Sequence, residues 1–99
     1  MFDITIRLTL PLTDGFEQSN FWTRDEKLPF EPRAGLFLGL DEDEQQIEVI
    51  VREVTWLVGK DGAGYFYLEC DLRRWRGEAW LTHIRATLSS GETSWKLEE

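Results

Sequence analysis

Ile47-Glu48-Val49-Ile50-Val51-Arg52-Glu53-Val54-Thr55-Trp56-Leu57-Val58 and Tyr65-Phe66-Tyr67-Leu68-Glu69-Cys70-Asp71-Leu72 read as the two arms of one long β-hairpin. In the second arm Phe66, Leu68, Cys70 and Leu72 are apolar, and Tyr65, Tyr67, Glu69 and Asp71 alternate with them. Strand side chains point to opposite faces in turn, so this arm has a buried face and a wetter one. The first arm changes phase: Ile47, Val49 and Val51 are odd, whereas Val54, Trp56 and Val58 are even. One strand keeps both sets on one face only if an extra residue is inserted, which predicts a β-bulge at Arg52-Glu53. Gly59-Lys60-Asp61-Gly62-Ala63-Gly64 supplies the glycines and Asp-Gly step of a hairpin loop longer than two residues.

Working outward, Phe2, Ile4, Ile6, Leu8 and Leu10 alternate with Asp3, Thr5, Arg7 and Thr9, a strand that Pro11 ends. Residues 12–33 are irregular. Asp14 stands where it would cap a short helix over Phe16–Trp22, and Leu28-Pro29-Phe30-Glu31-Pro32-Arg33 is extended because a residue preceding proline avoids the helical region. The apolar Phe16, Phe21, Trp22, Leu28 and Phe30 are too many for an unpacked loop, so residues 11–33 are expected to lie across one end of the domain. Leu36, Leu38 and Leu40 mark a short strand, followed by an acidic turn at Asp41–Glu44. Trp80, Thr82, Ile84, Ala86 and Leu88 read as another strand, and Trp95 with Leu97 as a last one.

The expectation is one all-β domain over residues 1–99: a small six-stranded antiparallel barrel, with a small β-sandwich as the alternative. The order of strand, long loop, three hairpin-linked strands and closing segment resembles SH3-like small barrels. The aromatic and acidic signature of the proline-peptide-binding SH3 domains is not recognisable in residues 10–25, so the resemblance implies a fold and no function.

A net charge of −8 speaks against general nucleic-acid binding and against anionic membrane surfaces, and it suits solubility or a basic protein partner. One cysteine forbids an intramolecular disulfide and fits a reducing compartment, and no apolar run approaches a membrane helix, so the reading is cytoplasmic. No constellation points to catalysis. His83 is the only histidine and falls on an outward phase without an orienting carboxylate. Cys70 falls on an apolar face, where a thiol is inert. Asp41–Glu44 lacks the ligand spacing and turning glycine of a calcium loop, and residues 59–64 lack the spacing of a phosphate loop. No cofactor and no metal site is expected.

Two surface features point to a partner. Arg73-Arg74-Trp75-Arg76, joined by Arg85, combines the residue types that dominate binding hot spots. Phe37, Tyr65, Tyr67 and Leu81 place apolar groups on a nominally wet face, which marks either a partner surface or, as the apolar residues of 12–33 favour, a surface covered by that loop. The function expected is a non-catalytic protein–protein interaction module, in one version an inhibitor- or immunity-like protein toward a basic partner. The alternatives are a self-assembling subunit, which makes a homo-oligomer, and a small-ligand domain with a pocket between Trp22, Trp56 and Trp80.

Overall fold

The computed structural model describes residues 1–10, 21–42, 45–73, 77–88, 90 and 94–98. The chain is mostly β. Its strands are β1 (Phe2–Thr9), β2 (Phe21–Leu28), β3 (Phe37–Glu42), β4 (Gln45–Val58), β5 (Gly64–Leu72) and β6 (Lys96–Glu98), with one helix, α1 (Glu78–Leu88), between β5 and β6. They form one open mixed sheet in the order β3-β4-β5-β1-β2-β6. The closed antiparallel barrel, its SH3-like arrangement and the sandwich alternative are therefore not seen. The reason is one non-local contact. β1 lies parallel to β5, from Ile4 beside Phe66 to Thr9 beside Asp71. That contact joins the β3-β4-β5 meander to the β1-β2 pair side by side, instead of closing one meander on itself.

The central hairpin forms as its alternation requires. Val49 faces Leu72 and Val51 faces Cys70; the register then slips, and Glu53 faces Glu69 and Trp56 faces Phe66. The slip between Val51 and Glu53 is the expected bulge, and it keeps both apolar sets on one face. The loop closes through Gly59 N–H to the Ala63 carbonyl at 2.8 Å and Ala63 N–H to Asp61 Oδ1 at 3.0 Å. Gly62 takes φ +84°, which a side chain would resist.

Two elements differ from the sequence reading. Phe21–Leu28 is neither helix nor covering loop but strand β2, antiparallel to β1, with Trp22 beside Leu8 and Leu28 beside Phe2. Phe16 and the rest of residues 11–20, with the proposed Asp14 cap, lie outside the described residues, as do 43 and 44 of the acidic turn. Residues 78–88 are helix, not strand. Leu81, Ile84, Arg85 and Leu88 recur at helical spacing and are buried, while Thr82, His83 and Ala86 are exposed. An isolated helix of 11 residues is marginal in water, so packing holds it. Ile84 and Leu88 insert into a core of Ile4, Ile6, Leu8, Trp22, Val49, Val51, Leu68 and Cys70, each such side chain contributing roughly 1.5–3 kcal/mol.

Only eight residues, 29–36, lead from β2 on one side of the sheet to β3 at the far edge, four strand positions away. Four spacings take about 19 Å, and eight residues reach roughly 27 Å when extended. The segment crosses with its prolines holding the residues before them extended, and it bends only near its end, where Leu36 N–H donates to the Arg33 carbonyl at 3.2 Å and Gly35 takes φ +91°. It docks on β4 through Gly35 N–H to the Val51 carbonyl (2.7 Å) and Val51 N–H to the Leu36 carbonyl (2.8 Å), and Leu36 packs against the core.

Candidate functional site

Of the first expected patch, only Arg73 and Arg85 lie among the described residues. Arg74, Trp75 and Arg76 lie outside the described residues. Arg73 follows β5, its N–H donates to the Glu48 carbonyl at 2.9 Å, and its guanidinium stands 4.0 Å from the centre of the Phe37 ring. Arg85 is not beside it on the surface. It projects from the buried stripe of α1, is 4% exposed, and has its guanidinium 5.7 Å from the Trp22 ring centre. Burial lowers the Arg85 pKa.

The second patch is split as well. Leu81 is buried under α1, and Tyr65 and Tyr67 are half-buried on the polar face of β5. Phe37, 53% exposed, belongs with Arg73. That polar face is occupied by its own charges: Arg7 pairs with Glu69 at 3.4 Å, Arg52 with Glu69 at 3.2 Å and with Asp71 at 3.7 Å, and Arg7 stacks 3.9 Å from the Phe21 ring centre. An open depression of about 980 Å³ between the N-terminus and the hairpin loop is lined by Asp3, Thr5, Asp25, Lys27, Asp61 and Tyr65. Its polar groups meet each other, Thr5 Oγ1 donating to Asp25 at 2.7 Å and Lys27 lying 3.8 Å from Asp3.

The three tryptophans do not share a pocket. Trp22 is fully buried beside Leu8, Trp80 is half-buried against the core, and Trp56 is 54% exposed near the opposite end of the hairpin. His83 is exposed on α1, and its carbonyl accepts the Thr87 hydroxyl at 3.0 Å. Cys70 is buried, as its phase implied, and its thiol is pushed up to about 12 by desolvation first and by the neighbouring Asp71 and Glu69 next. Among the described residues no cluster of His, Cys, Asp or Glu could hold a metal ion, and no helix is long and apolar enough to cross a membrane.

What does stand out is the distal half of β4. β3 accompanies β4 only from Gln45 to Ile50, and residues 35–36 extend the contact to Val51. From Glu53 to Val58, β4 pairs with β5 on one side, and among the described residues no strand lies on the other. Val51, on the core face, directs its N–H and C=O outward to residues 35 and 36, while the Glu48 carbonyl points to the β5 side. Backbone direction alternates with side-chain face, so Val54, Trp56 and Val58 direct theirs to the free edge. Trp56 and Val58 (64% exposed) flank it on the core face and Leu57 (36%) on the other. Trp56 meets Phe66 edge-on at 4.7 Å between ring centres, and Phe66 meets Phe2 at 5.8 Å. The indole of Trp56 also lies directly on Gly64, in space that a Cβ there would occupy.

This contact yields a prediction. Gly64→Ala displaces the Trp56 ring and costs about 1–3 kcal/mol, the usual penalty of overpacking. In a Trp56→Ala background the same change is nearly neutral. A double-mutant cycle by urea unfolding reads the difference, and equal costs in both backgrounds would contradict the packing.

The sequence did hold a signal for this edge. A first hairpin arm of 12 residues outruns the six-residue strand read at 35–40, so part of the longer arm must go unpaired. Comparison with protein-family models, with curated proteins and with solved structures found no significant match.

Proposed function

We propose that this chain is a non-catalytic protein–protein interaction module of the cytoplasm, and that the distal half of β4 is its binding edge. The observation that carries the reading is the exposed segment Glu53–Val58, with outward backbone donors and acceptors flanked by Trp56, Leu57 and Val58. An extended strand added to such an edge gains affinity from main-chain hydrogen bonds and selectivity from alternate side chains. Tryptophan is a frequent hot-spot residue. The six-residue segment carries one charge, Glu53, in a chain of net charge −8, so apolar contact dominates there.

Affinity capture at low and high salt tests this with three baits: the wild type, Trp56→Lys, and Arg73→Ala combined with Phe37→Ala. The expected result is a protein retained by the wild type and by the double variant but lost with Trp56→Lys. Identical retention by all three baits would remove the β4 edge from the reading. Loss with the Arg73 and Phe37 variant alone would transfer the interface to that pair.

A further inference from the structure

We infer that the free edge of β4 pairs with the same edge of a second copy of this chain, antiparallel about a two-fold axis at Trp56. The inference rests on the proposed binding edge and names its occupant. Three observations favour a second copy.

The first is register. The outward-directed residues are Val54, Trp56 and Val58, evenly spaced about Trp56. In an antiparallel pair centred there, Val54 faces Val58 of the other copy, Trp56 faces Trp56, and Val58 faces Val54. All three fall in positions that exchange both backbone bonds, about six in total. The edge is thus its own complement, which a two-fold interface requires.

The second is charge. A chain of net charge −8 repels its copy over most of its surface. Val54-Thr55-Trp56-Leu57-Val58 is an uncharged stretch and can approach its equivalent without opposing like charges.

The third is composition. β-branched and aromatic residues without proline make a strong pairing sequence, and natural edges are usually blunted by charge, proline or a bulge. Here the bulge lies at Arg52, before the free stretch, and leaves residues 54–58 unprotected. Pairing would also continue the apolar face, bringing each Trp56-Phe66-Phe2 cluster toward its symmetry mate.

The test uses the full chain, with mass in solution and residue-resolved amide exchange measured over a wide range of concentrations. The expected mass rises with concentration from 11.6 kDa toward twice that value. In parallel, the amides of Val54, Trp56 and Val58 slow roughly tenfold or more, while those of Glu53, Thr55 and Leu57, bonded to β5, are protected throughout. Val58→Pro removes an outward N–H that no strand among the described residues meets, so the variant keeps its melting temperature and loses the higher mass. Trp56→Lys, which sets two cations opposite each other at the axis, also loses the higher mass while remaining folded at a somewhat lower melting temperature, and serves if the proline variant fails to fold.

A mass of 11.6 kDa at every concentration with fast outward amides overturns the self-pairing. The binding edge itself then still stands if capture depends on Trp56, with a foreign strand as occupant. Outward amides that are slow in a strict monomer overturn both, because the edge would be covered within the chain. A dimer indifferent to both variants overturns the self-pairing through β4.

Discussion

Trp22→Ala is expected to cost about 3–5 kcal/mol of stability, the range for truncating a large buried aromatic side chain. Trp22 is fully buried, lies beside Leu8 on β1 and Leu97 on β6, and carries the Arg85 guanidinium over its ring. Its removal leaves a cavity between the sheet and α1 that a helix held by so few side chains cannot refill. A domain of this size has roughly 5–15 kcal/mol in all, so the variant approaches the threshold of folding. Thermal unfolding reads the effect as a fall of about 12–40 °C, at 4–8 °C per kcal/mol. Trp56→Ala, at the exposed end of the hairpin, is the control and costs far less. Equal losses for the two would mean that Trp22 is not the centre of the core.

Stability is further expected to fall between pH 9 and about 12 through Cys70. The fold holds this thiol neutral, with Sγ 3.8 Å from the Leu68 carbonyl oxygen and no exposed surface. Desolvation, assisted by the charges of Asp71 and Glu69 and opposed by Arg52, pushes its pKa from an ordinary 9.0 up to about 12. The folded value is the higher one. The stabilisation is therefore complete below pH 9 and is lost as pH rises toward 12, because the unfolded chain releases the proton first. Each pH unit in that window removes about 1.4 kcal/mol, or about 4 kcal/mol across it. Tyrosines and lysines also titrate there, so the comparison is with Cys70→Ala. That variant is weaker at neutral pH by the packing of one sulfur but lacks this loss, and the two stability curves converge as pH rises. Parallel curves from urea unfolding at pH 7 to 11 would show that the thiol is not held neutral. Buried this way, Cys70 also resists alkylation at pH 8 until the protein is unfolded, as a thiolate is the reactive species.

The hairpin was legible because its information is local. Alternation in Tyr65–Leu72 assigns faces one residue at a time, and the phase change at Arg52-Glu53 requires an inserted residue whatever lies nearby. The interior of β1 and the burial of Cys70 follow from the same rule. β2 was not legible. Its core-side residues are Trp22, Arg24, Glu26 and Leu28, and Arg24 is mostly covered, stacked near Trp95 and paired with Glu26. Two charged groups on the inner face hide the alternation. α1 was misread for a related reason. Its buried stripe contains Arg85, and with that position scored as polar, Trp80, Ile84, Ala86 and Leu88 pass for a strand.

The candidate site was legible only in part. Phe37 and Arg73 each stand out in the sequence, but in separate patches, because nothing local says that the start of β3 lies beside the end of β5. Trp56 was singled out for a pocket with Trp22 and Trp80 that the sheet order keeps apart.

The amino-acid sequence alone determined that this chain is mostly β, where its longest hairpin bends, which thiol is buried, and that its surface is acidic. Each of these depends on period, composition or near neighbours along the chain. Only the tertiary structure decided that the sheet stays open, that residues 78–88 form a helix, and that β4 outruns β3 to leave an edge. Those outcomes depend on contacts between β1 and β5, and between α1 and Trp22, whose residues lie some sixty apart in sequence, and no local pattern encodes which distant surfaces meet.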